Sequence, residues 1–461
     1  MVFASPIFLY YFLPLFLGLY YTVPRGLRSL VIAIASYVFY GWWRPDFVLL
    51  MWFSTLVDFT AGRRITAARL AGGRGKPWLW LSLVVNLGLL GYFKYFNFGI
   101  DTLNAIFAPF GGPMLHVGKI VLPVGISFYT FQTLSYTIDV YRGSAAPVKS
   151  FQDFMCYVSL FPQLVAGPIV RYNTVAEQLH DRTHTRSKFY RGLLAFQAGM
   201  VKKVLIADVL GQLADQAFSG AALDGTHSWL GALAYTFQIY FDFSGYSDMA
   251  IGLGLMIGFQ FPVNFDQPYR AISITDFWRR WHISLSSFLR DYLYIPLGGN
   301  RRGPVRTYVN LSLTMLLGGL WHGANWTFIV WGAWQGFWLV VERLSGRSSW
   351  YAFAPRGIQM GLTFGLVIIG WVFFRADNLG HALEYLQAMA GFGQGTEQLA
   401  LRPIHYLAAL CGAIVLWTLP TTQKLLYRAP LVWAVPLQAA FWLALIHLHY
   451  VNDVPFLYFQ F

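Results

Sequence analysis

Apolar runs follow one another along the chain, near residues 5–22, 27–43, 46–61, 78–99, 117–138, 151–170, 189–218, 228–260, 307–341, 356–374, 404–420 and 431–450, with short polar stretches between them. A helix needs ~20 apolar residues to cross the ~30 Å hydrocarbon core of a bilayer, and most of these runs match or approach that length. Some have room for two passes and others for half a pass, so the set predicts roughly 11–13 membrane segments. No fixed-period repeat or low-complexity linker divides them, so residues 1–461 read as one membrane domain. The expected fold class is an all-α polytopic membrane protein.

The run around residue 322 is the most informative. Between Val309 and Val341 the strongly polar side chains are few, chiefly Asn310, His322, Asn325 and Gln335. As a single helix this stretch would be ~50 Å long, more than the bilayer core, so it must tilt, break or cross twice. Gly318, Gly319 and Gly323 surround His322 and offer the break. A histidine at that depth is costly unless it faces a cavity or a partner. Its imidazole can act as a general base near neutral pH, taking a proton from a hydroxyl that attacks a thioester. The alternative is a histidine that only hydrogen-bonds a neighbouring helix; depth, glycines and Asn325 favour the chemical role.

Residues 278–292 predict one amphipathic helix at the membrane surface. Trp278, Trp281, His282, Leu285, Phe288, Leu289 and Tyr292 share one face; Arg279, Arg280, Ser287, Arg290 and Asp291 share the other. The sequence Pro296-Leu297-Gly298-Gly299-Asn300 ends it. His282 is either a second polar group in an acyl pocket or an interfacial histidine whose ring reaches water. Asp242 and Asp248 fall inside the run 228–260. They could line a tunnel, bind a metal or pair with Arg279 or Arg280, and ion pairing is the usual answer for a buried carboxylate. The chain closes on Pro455-Phe456-Leu457-Tyr458-Phe459-Gln460-Phe461, either an aromatic membrane anchor or a Tyr458 hydroxyl carried on an apolar tail into a cavity.

Composition agrees with the runs: 56% of the 461 residues are hydrophobic, 18% aromatic and only 11% charged. The net charge of +13 marks cytoplasmic loops rather than nucleic-acid binding. Three basic clusters set that side: Arg63 to Lys76, Arg171 to Arg191, and Arg279 to Arg306. Such a face attracts anionic lipid head groups and phosphorylated substrates. Residues 1–21 lack a basic n-region and a small-residue cleavage site, so they predict a retained first helix rather than a signal peptide. Cys156 and Cys411 lie in separate apolar runs and read as buried free thiols. G-x-S-x-G, H-E-x-x-H, P-loop and soluble-acyltransferase H-x4-D motifs are absent, as is any Cys/His cluster of metal spacing. Gly252, Gly254 and Gly258 suggest close helix packing rather than nucleotide binding.

Phe277 to Leu285 (FWRRWHISL) followed by Leu316 to Ala324 (LLGGLWHGA) closely resembles the membrane-bound O-acyltransferase (MBOAT) family, in particular the branch of bacterial alginate O-acetylation. The N-terminal 21 residues, Pro123 to Gly143, Phe161 to Arg171, Tyr240 to Gly258 and Trp371 to Ala376 (WVFFRA) are similar to that branch too. The resemblance implies a helical fold around a central cavity open to both sides. It implies that His322 is catalytic and His282 the second family histidine. It implies acetyl-CoA as cytosolic donor, with no permanently bound cofactor and no metal. The donor site expected with it comprises Arg279, Arg280, Arg301 and Arg302 for the phosphates, with Trp281 and Asn325 nearby. The partners implied are a periplasmic acetyltransferase of the serine-hydrolase type, polysaccharide secretion machinery and membrane lipids, and the location implied is a bacterial inner membrane. Phe456 to Phe461 is similar to an F-x-Y-x-x-F motif; in related D-alanylation systems it sits on a small companion protein whose tyrosine carries the acyl group. Here it is in cis, which makes Tyr458 the expected acyl acceptor. Cellulose and peptidoglycan stand beside alginate as polymers. A transporter of acyl donor or glycan, or a secretion scaffold, are the readings from other classes.

Overall fold

Glycine, proline and polar side chains cut the apolar runs into helices of unequal length. The structure, a computed structural model, describes residues 1–112, 114–219, 223–346, 349–393, 395–428, 430–450 and 457. It is helical throughout, and among the described residues the β-structure amounts to one bridge between Leu223 and Glu397. The helices form two compact units: Met1–Gly192 with Leu253–Pro262, and Leu193–Gly252 with Val263–Phe461.

The first unit contains α1 (Leu13–Thr22), α2 (Arg28–Gly41), α3 (Asp46–Leu70), α4 (Lys76–Leu90), α5 (Ile126–Arg142) and α6 (Phe151–Ser159). Helices α3, α4 and α5 meet along a polar seam. The buried Asp58 carboxylate accepts from Ser82 Oγ at 2.6 Å and from Asn86 Nδ2 at 2.9 Å, and Ser54 donates to Asn86 Oδ1 at 2.7 Å. Hydrogen bonds of this kind hold helices together where the surroundings are as apolar as the helix faces. The run 117–138 turns helical only at Ile126. Gly125 has φ +76, and a Cβ there would sit 2.8 Å from the Leu164 carbonyl oxygen, so only glycine fits that turn.

The second unit contains α7 (Asp208–Ala217), α8 (Gly225–Met256, of which residues to Gly252 belong here), α9 (Ile274–Arg280), α10 (Ile283–Leu289), α11 (Gly303–His322), α12 (Trp326–Leu344), α13 (Arg356–Arg375), α14 (Pro403–Trp417) and α15 (Pro430–Tyr450). The long run around residue 322 breaks where its glycines predict: α11 ends at His322, and α12 starts three residues beyond Gly323. The two helices pack as a tight hairpin. A Cβ on Gly319 would lie 2.2 Å from the Phe328 carbonyl oxygen, and one on Gly332 would lie 2.5 Å from that of Met315.

Three stretches are long and apolar enough to cross a membrane, Lys76–Phe110, Arg356–Arg375 and Leu431–Tyr450, with Phe8–Thr22 and Pro403–Trp417 as shorter apolar helices. Other expected segments carry buried polar groups, as α3 does at Asp58, or are broken, as the run at 307–341 is after His322. Leu407, Leu410 and Ile414 leave α14 with an exposed apolar flank, as a lipid-facing helix requires. Two expectations need correction. Residues 278–292 are not one surface helix: the chain breaks at His282, and Trp281, His282, Leu285, Phe288 and Leu289 are all buried. Apolar residues at helical spacing meet a protein core here, a pattern that periodicity alone does not distinguish from a membrane surface. Cys156 is a buried thiol as expected, but Cys411 is exposed, on the outer flank of α14.

Candidate active site: two buried histidines

His322 is the last residue of α11, only 4% exposed. Its ring makes edge-on contacts with Trp321 and Trp331, both at 5.1 Å between centroids, and with Phe374 at 5.2 Å. Trp331 in turn stacks on Trp371 at 5.8 Å. The WVFFRA segment therefore supplies one wall of the aromatic cage around His322, Phe374, and backs another through Trp371, which stacks on Trp331.

His282 lies between α9 and α10 with φ +42, one of two non-glycine residues with positive φ among those described. Its neighbours hold that unfavoured conformation in place. The Ile283 N–H donates to the Asn264 carbonyl oxygen at 2.9 Å, and the Ser286 N–H to that of His282 at 3.0 Å. Helix α9 is fixed at its other end by the buried Glu342 of α12, which accepts from the N–H groups of Ile274 at 2.5 Å and Thr275 at 2.9 Å. Trp278 Nε1 donates to Gln335 Oε1 at 3.2 Å. The backbone kink thus turns the His282 ring inward, edge-on to Phe243 at 4.7 Å and 6.4 Å from the His322 ring.

The protonation of His282 follows from one amide. Asn264 Oδ1 accepts from the Ser284 backbone N–H at 3.2 Å and from Ser284 Oγ at 2.8 Å, and it faces His282 Nδ1 at 3.1 Å. A backbone N–H can only donate, so the amide atom at that point is the oxygen, and Nδ1 must carry a hydrogen to bond it. Nε2 is then the bare nitrogen of a neutral imidazole. It is buried with no hydrogen-bond partner among the described residues. Burial pushes the His282 pKa down to about 3, so the ring stays neutral through the physiological range. A neutral imidazole lone pair among aromatic walls can accept a proton or a hydrogen bond where water is scarce.

The remaining expected site residues are scattered. Trp281 is buried against Trp371 at 4.9 Å and forms part of the wall. Arg279 is exposed, while Arg280 pairs with Asp276 at 2.8 Å. Arg301 and Arg302 are exposed at the start of α11, roughly 30 Å along the helix axis from His322. Asn325 caps α12, accepting from the Thr327 N–H at 3.0 Å, and donates to the Asp377 carbonyl oxygen at 2.9 Å. Asp242 and Asp248 are ion-paired, but with lysines rather than Arg279 or Arg280: Asp242 with Lys203 at 3.0 Å, Asp248 with Lys202 at 2.6 Å. Tyr458 lies outside the described residues. Among the described residues no group of three or more His, Cys, Asp or Glu side chains gathers as a metal site would. Sequence reading missed Asn264, Glu342 and Gln335. The first looks like an ordinary turn residue between two runs, and the other two are single polar groups in an apolar stretch whose partners are distant in sequence.

The family model described as the membrane-bound O-acyltransferase family matches residues 148–373, a range that holds both histidines and Asn264. A protein of Pseudomonas aeruginosa named "Probable alginate O-acetylase AlgI" is 52% identical over 447 residues, covering 95% of this chain and 85% of the relative. The peptidoglycan O-acetyltransferase of Helicobacter pylori is 38% identical over 426 residues, covering 85% and 80%. The teichoic acid D-alanyltransferase of Streptococcus thermophilus is 28% identical over 234 residues, covering 48% and 56%.

Proposed function

The chain belongs to the membrane-bound O-acyltransferase family, and from that premise we propose that it takes acetyl from cytosolic acetyl-CoA and passes it across a bacterial inner membrane for O-acetylation of an exopolysaccharide. The observation that supports this best is the buried pair His282–His322, whose rings are 6.4 Å apart among aromatic walls. Alginate is the favoured polymer because the alginate-type relative is 52% identical, against 38% for the peptidoglycan enzyme.

In this reading the Tyr458 phenol oxygen attacks the thioester carbonyl carbon while His322 takes the phenol proton. The C–S bond breaks, and the departing thiolate collects that proton from the imidazolium to leave as free CoA. The donor needs no metal or further cofactor. His282, neutral and with its Nε2 lone pair bare, polarises the site or lines the route. The aromatic walls keep water from hydrolysing the thioester. An acetylated phenol is a workable relay, because a phenol with pKa ≈ 10 leaves more easily than an alkoxide. The acetyl group then moves to a periplasmic acetyltransferase of the serine-hydrolase type and on to a sugar hydroxyl, and the phenol regains a proton. Exposed basic residues such as Arg279, Arg301 and Arg302 draw the donor's phosphates to the cytoplasmic face.

Purified protein incubated with acetyl-labelled acetyl-CoA tests this. The wild type should carry label on its C-terminal peptide, Tyr458→Phe should carry none, and His322→Ala should transfer about 10²- to 10⁴-fold more slowly. Full transfer by Tyr458→Phe removes the relay but not the role of His322. Full transfer by His322→Ala overturns the chemical reading and favours a transporter.

A further inference from the structure

A cavity of about 420 Å³ opens in the second unit between α7, α8 and α14, a volume suited to a small ligand. Leu210 and Leu213 of α7, Leu233 and Phe237 of α8, and Ala409 and Ala413 of α14 line it, and its wall is almost wholly apolar. The two alanines leave the room. Tyr406 and Leu410 belong to the lining and are exposed, and Leu407 and Ile414 continue the apolar surface beside them. That outer flank of α14 faces lipid, so the cavity opens toward the bilayer.

One polar group interrupts the apolar lining. His405, only 4% exposed, lines the cavity, and its Nδ1 accepts the backbone N–H of Arg402 at 3.1 Å. A backbone N–H can only donate, so Nδ1 carries the lone pair and Nε2 the hydrogen. That Nε2–H is buried with no hydrogen-bond partner among the described residues. An unmet donor in apolar surroundings is costly unless something accepts from it. Arg402 is exposed at the start of α14, with no carboxylate partner among the described residues. Along α14, His405 follows Arg402 by ~5 Å, Ala409 by ~10 Å and Ala413 by ~16 Å. The order is a cation, a single donor, then small apolar residues. A phospholipid presents the complement in the same order: phosphate, ester carbonyl, acyl chain. The start of a helix adds its own preference for a phosphate.

We propose that the cavity between α7, α8 and α14 is a binding site for one membrane phospholipid. An acyl chain lies against Ala409 and Ala413, an ester carbonyl oxygen accepts the His405 Nε2–H, and the phosphate sits beside Arg402. The site uses none of the residues assigned to acetyl transfer.

Phosphatidylglycerol with a photoreactive diazirine in one acyl chain, added to the full-length protein in detergent, tests this. On illumination the wild type should take label saturably on the cavity residues of α7, α8 and α14, and excess unlabelled phosphatidylglycerol should remove it. Diacylglycerol with the same diazirine chain has the esters but no phosphate, and should bind about 5-fold more weakly. Arg402→Gln should bring phosphatidylglycerol down to that level and leave diacylglycerol unchanged. His405→Phe, close in shape but without the donor, should weaken both probes about 2- to 10-fold. Ala409→Leu together with Ala413→Leu fills the cavity and should abolish saturable labelling. Label that never saturates and falls only on outward residues such as Leu407 and Ile414 overturns the proposal, because the lipid is then merely annular. Undiminished labelling of the filled variant overturns it too, as does diacylglycerol binding as tightly as phosphatidylglycerol. Should the filled variant not fold, the contrast between the two probes in the wild type and in Arg402→Gln decides. None of these readouts involves acetyl transfer, so the outcome is independent of the role of His322.

Discussion

Asn264 fixes the tautomer of His282: its side-chain oxygen, identified by the Ser284 backbone N–H that donates to it, stands 3.1 Å from Nδ1 and forces the hydrogen onto that nitrogen. The bare Nε2 is the consequence. Asn264→Leu, similar in size but with no acceptor, should lower kcat about 10- to 100-fold with little change in KM for acetyl-CoA, because it frees the tautomer without touching the donor. Asn264→Asp keeps an acceptor and adds a negative charge that favours imidazolium. It should retain activity at alkaline pH and lose it as pH falls, with the acid limb of the pH–rate profile displaced upward from that of the wild type. Superimposable profiles for Asn264→Asp and wild type would show that His282 does not act through its lone pair.

The same histidine makes stability depend on pH. Its folded pKa of about 3 lies below the ordinary value near 6.5, so between those limits the unfolded chain binds a proton that the folded one does not. Its contribution is complete above pH 6.5 and declines as pH falls toward 3. Lowering the pH from 7 to 4 should therefore reduce the unfolding temperature of the wild type more than that of His282→Gln, followed by intrinsic fluorescence in detergent. Parallel decreases would place the histidine in contact with water.

The α11–α12 hairpin depends on backbone contact at Gly319. A Cβ there would meet the Phe328 carbonyl oxygen at 2.2 Å, and backbone cannot step aside as a flexible side chain can. Gly319→Ala should cost about 1–3 kcal/mol or more of stability. It should also displace His322, three residues on, and so lower transfer. A variant as stable and active as the wild type would show that the hairpin is looser than it looks.

Asp248 anchors a second buried network, accepting from Lys202 at 2.6 Å, Thr422 at 2.7 Å and Gln423 at 2.6 Å. Asp248→Ala strands the Lys202 ammonium, a loss of about 3–5 kcal/mol for a broken buried pair. The double variant Lys202→Met, Asp248→Leu should recover most of it, because neither charge remains to be buried. Thermal unfolding of the single and double variants gives the coupling, and a double variant less stable than Asp248→Ala would refute the argument.

Much of this protein is legible in its residues. The apolar runs required helices in a membrane because a backbone without water must bond to itself. The run around His322 had to tilt, break or cross twice, because a continuous helix would exceed the bilayer; its glycines offered a break, and the break is there. Ion pairing was the favoured reading of the aspartates at 242 and 248 among three, because an unpaired buried carboxylate is expensive, and both are paired. What sequence could not settle was which groups met. Periodicity placed Trp281, His282 and Leu285 on one face, but the same face suits a membrane surface or a protein core, and packing against Trp371, Phe243 and Phe265 decided for the core. The lysines at 202 and 203, not Arg279 or Arg280, found the carboxylates because the helical segment Lys202–Ala207 that leads into α7 brings them to Asp242 and Asp248 of α8. The kink at His282 and its contact with Asn264 are matters of tertiary structure alone. The contact joins residues 18 positions apart through a directional hydrogen bond, and no local pattern encodes a partner at such a distance.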